Sequence, residues 1–417
     1  MTLDKTKQLI VNYRLPLLLL AALVPAFFAV VDYAYSLNNG SMGTSAYYFV
    51  GYETGFGGRK LLGTLYGLVL PEQVRWTHLR PYIMGINIAM LLLFAGFACQ
   101  ALRRMADDRL AIPLLAVYLA SPFSILGWVG STMSIYFTET YTLTLTLAWL
   151  MLYVACPRRW WYYVLTAIIA VTACLIHHTF CCTFFPLMAA LMLYDSLPEG
   201  RIDWRRAVPY GLICAALGAL LAIIWFCSHM NINYDELHNS IVARTSEDAY
   251  CRGSMIKDYF YLSTGDGYNR AGFTEWETGV MRLPMEFVLT LVMLLPALAV
   301  LAWPWVAAGR KAGSGRWRYW GVLAADVAMT LPMFVMATDY GRWWTALCFT
   351  LFALPLSVAA QGDKAMREAL MDMYDYFRRH LLLAAVIVVY LLQLHPHPDF
   401  PYFGMQQAMR LRELMGF

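Results

Sequence analysis

Residues 207–228, Ala-Val-Pro-Tyr-Gly-Leu-Ile-Cys-Ala-Ala-Leu-Gly-Ala-Leu-Leu-Ala-Ile-Ile-Trp-Phe-Cys-Ser, run 22 positions without a charged side chain. As a helix this stretch covers about 33 Å, enough for the hydrocarbon core of a bilayer. It offers no polar face to water, so it is not the amphipathic helix of a soluble protein. Apolar runs of the same kind recur near 15–36, 81–101, 111–128, 139–156, 161–176, 180–195, 284–305, 319–337, 344–360 and 380–395. Together they predict an all-α polytopic membrane protein with about 11 transmembrane helices. The runs are continuous rather than alternating with period two, which excludes a transmembrane β-barrel. Composition agrees: 60% of the chain is apolar and 14% charged, against about 25% charged in an ordinary globular protein. Mean hydropathy is +0.52. A soluble enzyme, a disordered chain and a DNA-binding domain are excluded, and a net charge of +4 is too small to imply a nucleic-acid partner.

The basic residues orient the bundle. With the N-terminus cytoplasmic, the inner segments carry 19 Lys and Arg in 70 positions, against 12 in about 140 outer positions. Lys and Arg concentrate on the cytoplasmic side of membrane proteins. The N-terminus is therefore expected inside and the C-terminus external, with residues 1–417 forming one transmembrane domain. Two external loops are long, 37–80 and 229–283, and the stretch 361–379 is read as amphipathic and lying on the membrane. The nine cysteines fall mostly in or beside spans, where a thiol acts as a small hydrophobe.

Unusual polar residues collect at the external helix ends. Asp32, in Val-Val-Asp-Tyr, lies about four residues from the outer end of the first span, where a carboxylate is costly and tends to face a cavity. Next comes Gly-Tyr-Glu-Thr-Gly-Phe-Gly-Gly-Arg-Lys, residues 51–60. Apolar residues at helical spacing follow it, predicting a membrane-lying helix that ends at Pro71. Arg59 and Lys60 at its N-terminus read either as a phosphate cradle or as headgroup anchors. Glu53 is a second candidate carboxylate. Glu139 starts the fourth span, where it also complements the helix dipole. The alternating Thr138, Thr140, Thr142, Thr144 and Thr146 are expected to bond neighbouring helices. His177 and His178 share a tight external turn, suited to moving a proton or meeting a phosphate, but adjacent helical positions diverge too far to chelate one metal together. In Asp339-Tyr-Gly-Arg342-Trp343-Trp344 an acid and a cation three residues apart sit beside interfacial tryptophans. Asp326, about two turns into the ninth span, is an intramembrane acid and the feature that favours a transporter.

This layout resembles the multi-spanning glycosyltransferases of the GT-C superfamily, carried by Gly-Phe-Gly-Gly-Arg-Lys-Leu-Leu-Gly at 55–63, Ile-His-His-Thr-Phe at 176–180 and Asp-Tyr-Gly-Arg-Trp at 339–343. The same motifs are similar to bacterial envelope membrane proteins. In GT-C enzymes the first external loop carries the catalytic carboxylate and a membrane-lying helix. The resemblance implies a polyprenyl-phosphate-linked sugar donor, a glycan or lipid acceptor, and an active site on the external face of the cytoplasmic membrane. Asp32 or Glu53 would then be the base, assisted by His177 or His178. Arg59, Lys60 and Arg342 would meet the phosphate, with Glu139, Asp339 and Trp343 binding substrate. The paired acids common in GT-C first loops are missing from this sequence. No metal site is readable, and a divalent cation is the only cofactor left open. A polymerase or ligase acting on polyprenyl-diphosphate glycans fits the same residues, and a lipid or solute transporter or flippase is the rival from another class.

Overall fold

The computed structural model describes residues 3–36, 45–48, 50–130, 138–230, 234–244, 282–336, 340–396 and 405–416. It is about 84% helical, with no strand among the described residues. Six helical stretches are long and apolar enough to cross a membrane: Leu19–Ser36, Trp76–Met105, Ile112–Gly130, Trp204–Cys227, Met285–Lys311 and Gly341–Ala360. Three shorter apolar helices, Trp160–Ile176, Phe185–Ser196 and Leu381–Leu392, accompany them. The chain is thus an all-helical, membrane-embedded protein. Surface composition says the same: Phe28, Leu92, Leu212, Phe226 and Leu382 are all more than half exposed, a surface suited to lipid rather than to water.

The helices used below are α1 (Leu3–Ser36), α2 (Leu61–Tyr66), α3 (Trp76–Met105), α4 (Ile112–Ala120), α5 (Ile125–Gly130), α6 (Glu139–Ala155), α7 (Trp160–Ile176), α8 (Phe180–Thr183), α9 (Phe185–Ser196), α10 (Trp204–Met230) and α11 (Tyr234–Arg244). After them come α12 (Arg282–Lys311), α13 (Arg316–Met336), α14 (Tyr340–Ala360), α15 (Lys364–Arg379), α16 (Leu381–Leu392) and α17 (Gln406–Leu414). Every residue from Trp343 to Ala360 is buried, whereas in Leu19–Ser36 and Trp204–Cys227 only about a fifth of the most apolar 18 residues are. The bundle therefore wraps α14, with α1 and α10 at its periphery.

Several sequence expectations change. The run 180–195 is two pieces, α8 and α9, interrupted at Phe184 just before Pro186 in the first turn of α9. A proline has no N–H to continue the preceding helix. The 12 residues of α9 span about 18 Å, short of a bilayer core. The helix of the first loop, α2, ends at Tyr66 rather than at Pro71 and has six residues. The threonines of α6 mostly turn inward on their own helix: Thr142 Oγ1 donates to Glu139 O, Thr144 Oγ1 to Thr140 O at 2.6 Å and Thr146 Oγ1 to Thr142 O at 2.7 Å. Such back-bonding satisfies a hydroxyl in an apolar setting without a second helix. Thr140 alone crosses over, accepting from Trp128 Nε1 on α5 at 3.1 Å. As expected for 361–379, α15 is amphipathic, burying Met366, Ala369, Leu370, Met373 and Phe377.

Polar contacts group the helix ends into two sets. At one end Trp76 Nε1 donates to Ala34 O, joining the C-terminus of α1 to the N-terminus of α3, and the Tyr66 and Tyr141 hydroxyls meet at 2.8 Å. At the other, Asp195 accepts from Arg158, Tyr153 and Tyr210, tying α6, α9 and α10 together. Asp363 caps α15 through Met366 N while accepting from Tyr194 and Tyr319. Arg104 donates to Ala155 O and Arg367 to Arg104 O. These acids have their lone pairs occupied, which is the condition for burying a charge.

Candidate functional site

Three helix ends far apart in sequence bring Glu139, His177 and Arg342 into contact. Glu139, in the first turn of α6, is 2% exposed. Its Oε1 accepts from Arg342 Nη1 of α14 and lies 3.2 Å from Nε2 of His177, which follows α7. The tautomer of His177 follows from its other side. Thr179 N–H donates to Nδ1, so Nδ1 is the acceptor and the proton sits on Nε2, facing the carboxylate. Arg342 also lies over the Trp343 ring, 5.3 Å from its centroid.

The first loop closes over this trio. Tyr47, Tyr48 and Val50 lie beside α2, and Arg59 donates through Nη1 to the Tyr47 hydroxyl at 2.6 Å. Arg59 sits at φ 65, a left-handed conformation that costs a non-glycine residue roughly 1–2 kcal/mol. Retaining an arginine there aims its guanidinium at the histidines, where its charge is felt by both. Gly58 makes the approach possible: a Cβ on it would lie 2.7 Å from His178 Nδ1. Burial, then the charge of Arg59, lowers the His178 pKa to about 3. His177 is driven well below 6.5 by burial, then by Arg59, His178 and Arg342. Both imidazoles are neutral at pH 7.

Buried at this end without a hydrogen bond among the described residues are Tyr52 Oη, Thr138 Oγ1, Glu139 Oε2, His178 Nδ1, Trp343 Nε1 and Trp344 Nε1. Leaving one such group unsatisfied costs about 1–3 kcal/mol. Several such groups on neighbouring elements leave this end of the bundle with unmet hydrogen-bonding capacity.

Asp32, Glu53 and Lys60 make no hydrogen bond or ion pair with this trio among the described residues. Asp32 is exposed on α1: Val30 and Ala34, two residues to either side, are fully buried, and two residues turn a helix by about 200°. Glu53 is exposed and turns back to accept from Gly51 N at 2.8 Å. Lys60 is fully buried, with Nζ donating to Thr54 O, Thr54 Oγ1 and Gly55 O. Burial lowers its pKa to about 8, opposed by Glu53. Its three donors are spent organising the loop, and α2 is too short for the phosphate cradle expected at its N-terminus. Asp339 and most of the loop 229–283 lie outside the described residues. No cluster of three metal-ligating side chains occurs among the described residues.

Sequence reading missed two features. The Tyr48, Tyr66 and Tyr141 rings pack beside the site, with centroids within 6 Å of a neighbour, and a 75-residue separation between Tyr66 and Tyr141 gives no local signal. Buried Glu286 of α12 lies 2.7 Å from Arg412 of α17. The acid among apolar residues at 285–291 was the available signal. Comparison with known family models, curated proteins and solved structures returns no match.

The depressed histidines fix a pH dependence of stability. Below pH 6.5 the unfolded chain binds protons at positions 177 and 178 that the folded chain refuses, so stability falls as pH falls. For His178 the loss extends down to about 3, at about 1.4 kcal/mol per pH unit. The melting temperature of the solubilised protein should drop between pH 6.5 and 4.5, and a His177→Gln/His178→Asn variant should drop less steeply. Parallel curves would show that these imidazoles do not resist protonation.

Proposed function

We propose that this protein is a multi-spanning glycosyltransferase of the cytoplasmic membrane. It moves a sugar from a polyprenyl-phosphate-linked donor to a glycan or lipid acceptor on the external face. The reading includes eleven spans, the N-terminus inside and the C-terminus external. What carries it is the meeting of Glu139, His177, His178, Arg59 and Arg342 at one end of the bundle, where Glu139 Oε2 and His178 Nδ1 are buried with no hydrogen bond among the described residues. In the proposed reaction an acceptor hydroxyl attacks the anomeric carbon, the bond from that carbon to the phosphate oxygen breaks, and the phosphate leaves with the electron pair. Arg59 and Arg342 stabilise the charge developing on it. The hydroxyl proton passes to His178 Nδ1, whose basicity rises once a bound phosphate offsets the charge of Arg59. Glu139 Oε2 accepts from a sugar hydroxyl. His178 thus takes the role of base that the resemblance gave to Asp32 or Glu53, and Glu139 keeps its substrate-binding role.

The test begins with the protein purified in its native lipids and mass spectrometry of co-purified polyprenyl-phosphate species. Wild type should retain a lipid-linked sugar, and an Arg59→Ala/Arg342→Ala variant should lose it. His178→Ala should retain the lipid but turn it over some 10²–10⁴-fold more slowly. Failure to recover any such lipid while ordinary phospholipids are kept would count against the enzyme. Asp326 supports the transport reading: it is fully buried, accepts from Thr350 Oγ1 at 2.9 Å, and its Oδ1 makes no hydrogen bond among the described residues. An inactive Asp326→Asn beside active His178→Ala would reverse the ranking.

A further inference from the structure

At the end of the bundle opposite the polar site, an apolar cavity of about 210 Å³ lies between α4 and the consecutive helices α15 and α16. One wall is a single stripe at helical spacing, in which Tyr374 and Arg378 on α15 lead into Ala384 and Val388 on α16. The opposite wall includes Pro113 and Ala116 of α4. The stripe is graded along its length, with a phenol and a guanidinium at one end and only aliphatic side chains at the other. Arg378 is exposed, and among the described residues it forms no ion pair. Of the acids on α15, Glu368 and Asp372 are engaged by Lys311, at 3.9 and 2.7 Å, and Asp375, three residues before Arg378, forms no ion pair with it among the described residues. Arg379, the next residue and also exposed, is not part of the lining, so Arg378 is the cation at the mouth. Beyond the mouth, α16 exposes Leu381, Leu382, Val386 and Val389, so the apolar end of the cavity lies beside a lipid-facing surface.

A cavity apolar along its length and cationic at its mouth matches one kind of molecule. We propose that it binds an anionic phospholipid, with one acyl chain between α4 and α16 and the phosphate on Arg378. A zwitterionic phospholipid has the same chain but carries its own cation, so it gains less from the guanidinium. A basic side chain near an anionic headgroup contributes about 1 kcal/mol, which corresponds to about fivefold in affinity. This inference is independent of the transferase reading.

The experiment is native mass spectrometry of the delipidated full chain titrated with phosphatidylglycerol or phosphatidylcholine of identical chains. Wild type should hold phosphatidylglycerol about fivefold more tightly. Arg378→Ala should erase that preference, while Arg201→Ala, which removes an exposed charge from a different segment, should leave it intact. Ala384→Trp or Ala116→Leu, each filling the cavity, should weaken both lipids if the chain enters it, with the melting temperature showing that the variant is folded. A preference that survives Arg378→Ala, or that Arg201→Ala abolishes equally, would overturn the proposal. So would displacement of the lipid by inorganic phosphate with both cavity-filling variants binding normally, since that would mean a headgroup site only.

Discussion

Replacing Arg342 with leucine should cost the solubilised protein about 3–5 kcal/mol of stability, and adding Glu139→Leu to that variant should restore much of the loss. The first substitution strands a carboxylate that is 2% exposed, with the His177 N–H as its one remaining donor. Breaking a buried pair from one side costs that much because the charge has neither water nor partner. Replacing both members with apolar side chains removes the uncompensated charge and is often close to neutral. Thermal melting of the two single variants and the double variant measures this directly. If Arg342→Leu melts like wild type, or the double variant melts as low as Arg342→Leu, the pair is not the buried, desolvated contact the geometry describes. The double variant also separates stability from function. It should fold and still be inactive under the proposed transfer, because both the cation for the phosphate and the acceptor for the sugar hydroxyl are gone.

That pair shows where sequence reading succeeds and where it stops. Glu139, His177, His178 and Arg342 stand out individually, because a charged or titratable group at the end of an apolar run is costly unless the fold gives it a partner. Choosing among Asp32, Glu53 and Glu139 required knowing which helix ends are neighbours. Asp32 is turned off the packed face of α1 by two residues of helical phase, since Val30 and Ala34 occupy that face. Glu53 accepts from a local backbone N–H. The helical fold class was legible because the apolar runs are long and continuous. The centrality of α14 was not, since a helix packed among helices and one facing lipid are equally apolar. The 180–195 run misled for the same reason: hydropathy continues across the break before Pro186 that the backbone cannot ignore.

The loop that covers the site hangs on a single glycine. Gly63→Ala should displace residues 47–55 and destroy activity, with a stability loss of at least the about 1–3 kcal/mol typical of overpacking. The backbone of Val50 crosses α2 directly over Gly63, and a Cβ there would lie 1.9 Å from Val50 O, 2.3 Å from Val50 C and 2.7 Å from Val50 N. All three atoms are main chain, so no rotamer change relieves the clash. The crossing is held on either side by Tyr52 N donating to Thr64 Oγ1 at 2.8 Å and by burial of Tyr48 and Leu62 in one apolar cluster. Pushing Val50 away pulls Tyr47 from Arg59 and frees Arg59 from the position that aims it at the histidines. Gly85→Ala in α3, where no heavy atom lies within 4 Å of the added Cβ, is the control and should be neutral or stabilising by up to about 1 kcal/mol. Cysteine pairs that report loop position, with activity and melting measured on the same samples, distinguish the outcomes. A Gly63→Ala protein with normal turnover would mean that the first loop is dispensable to the chemistry, and Arg59 would lose its place in the proposed site while Glu139, His177 and Arg342 kept theirs.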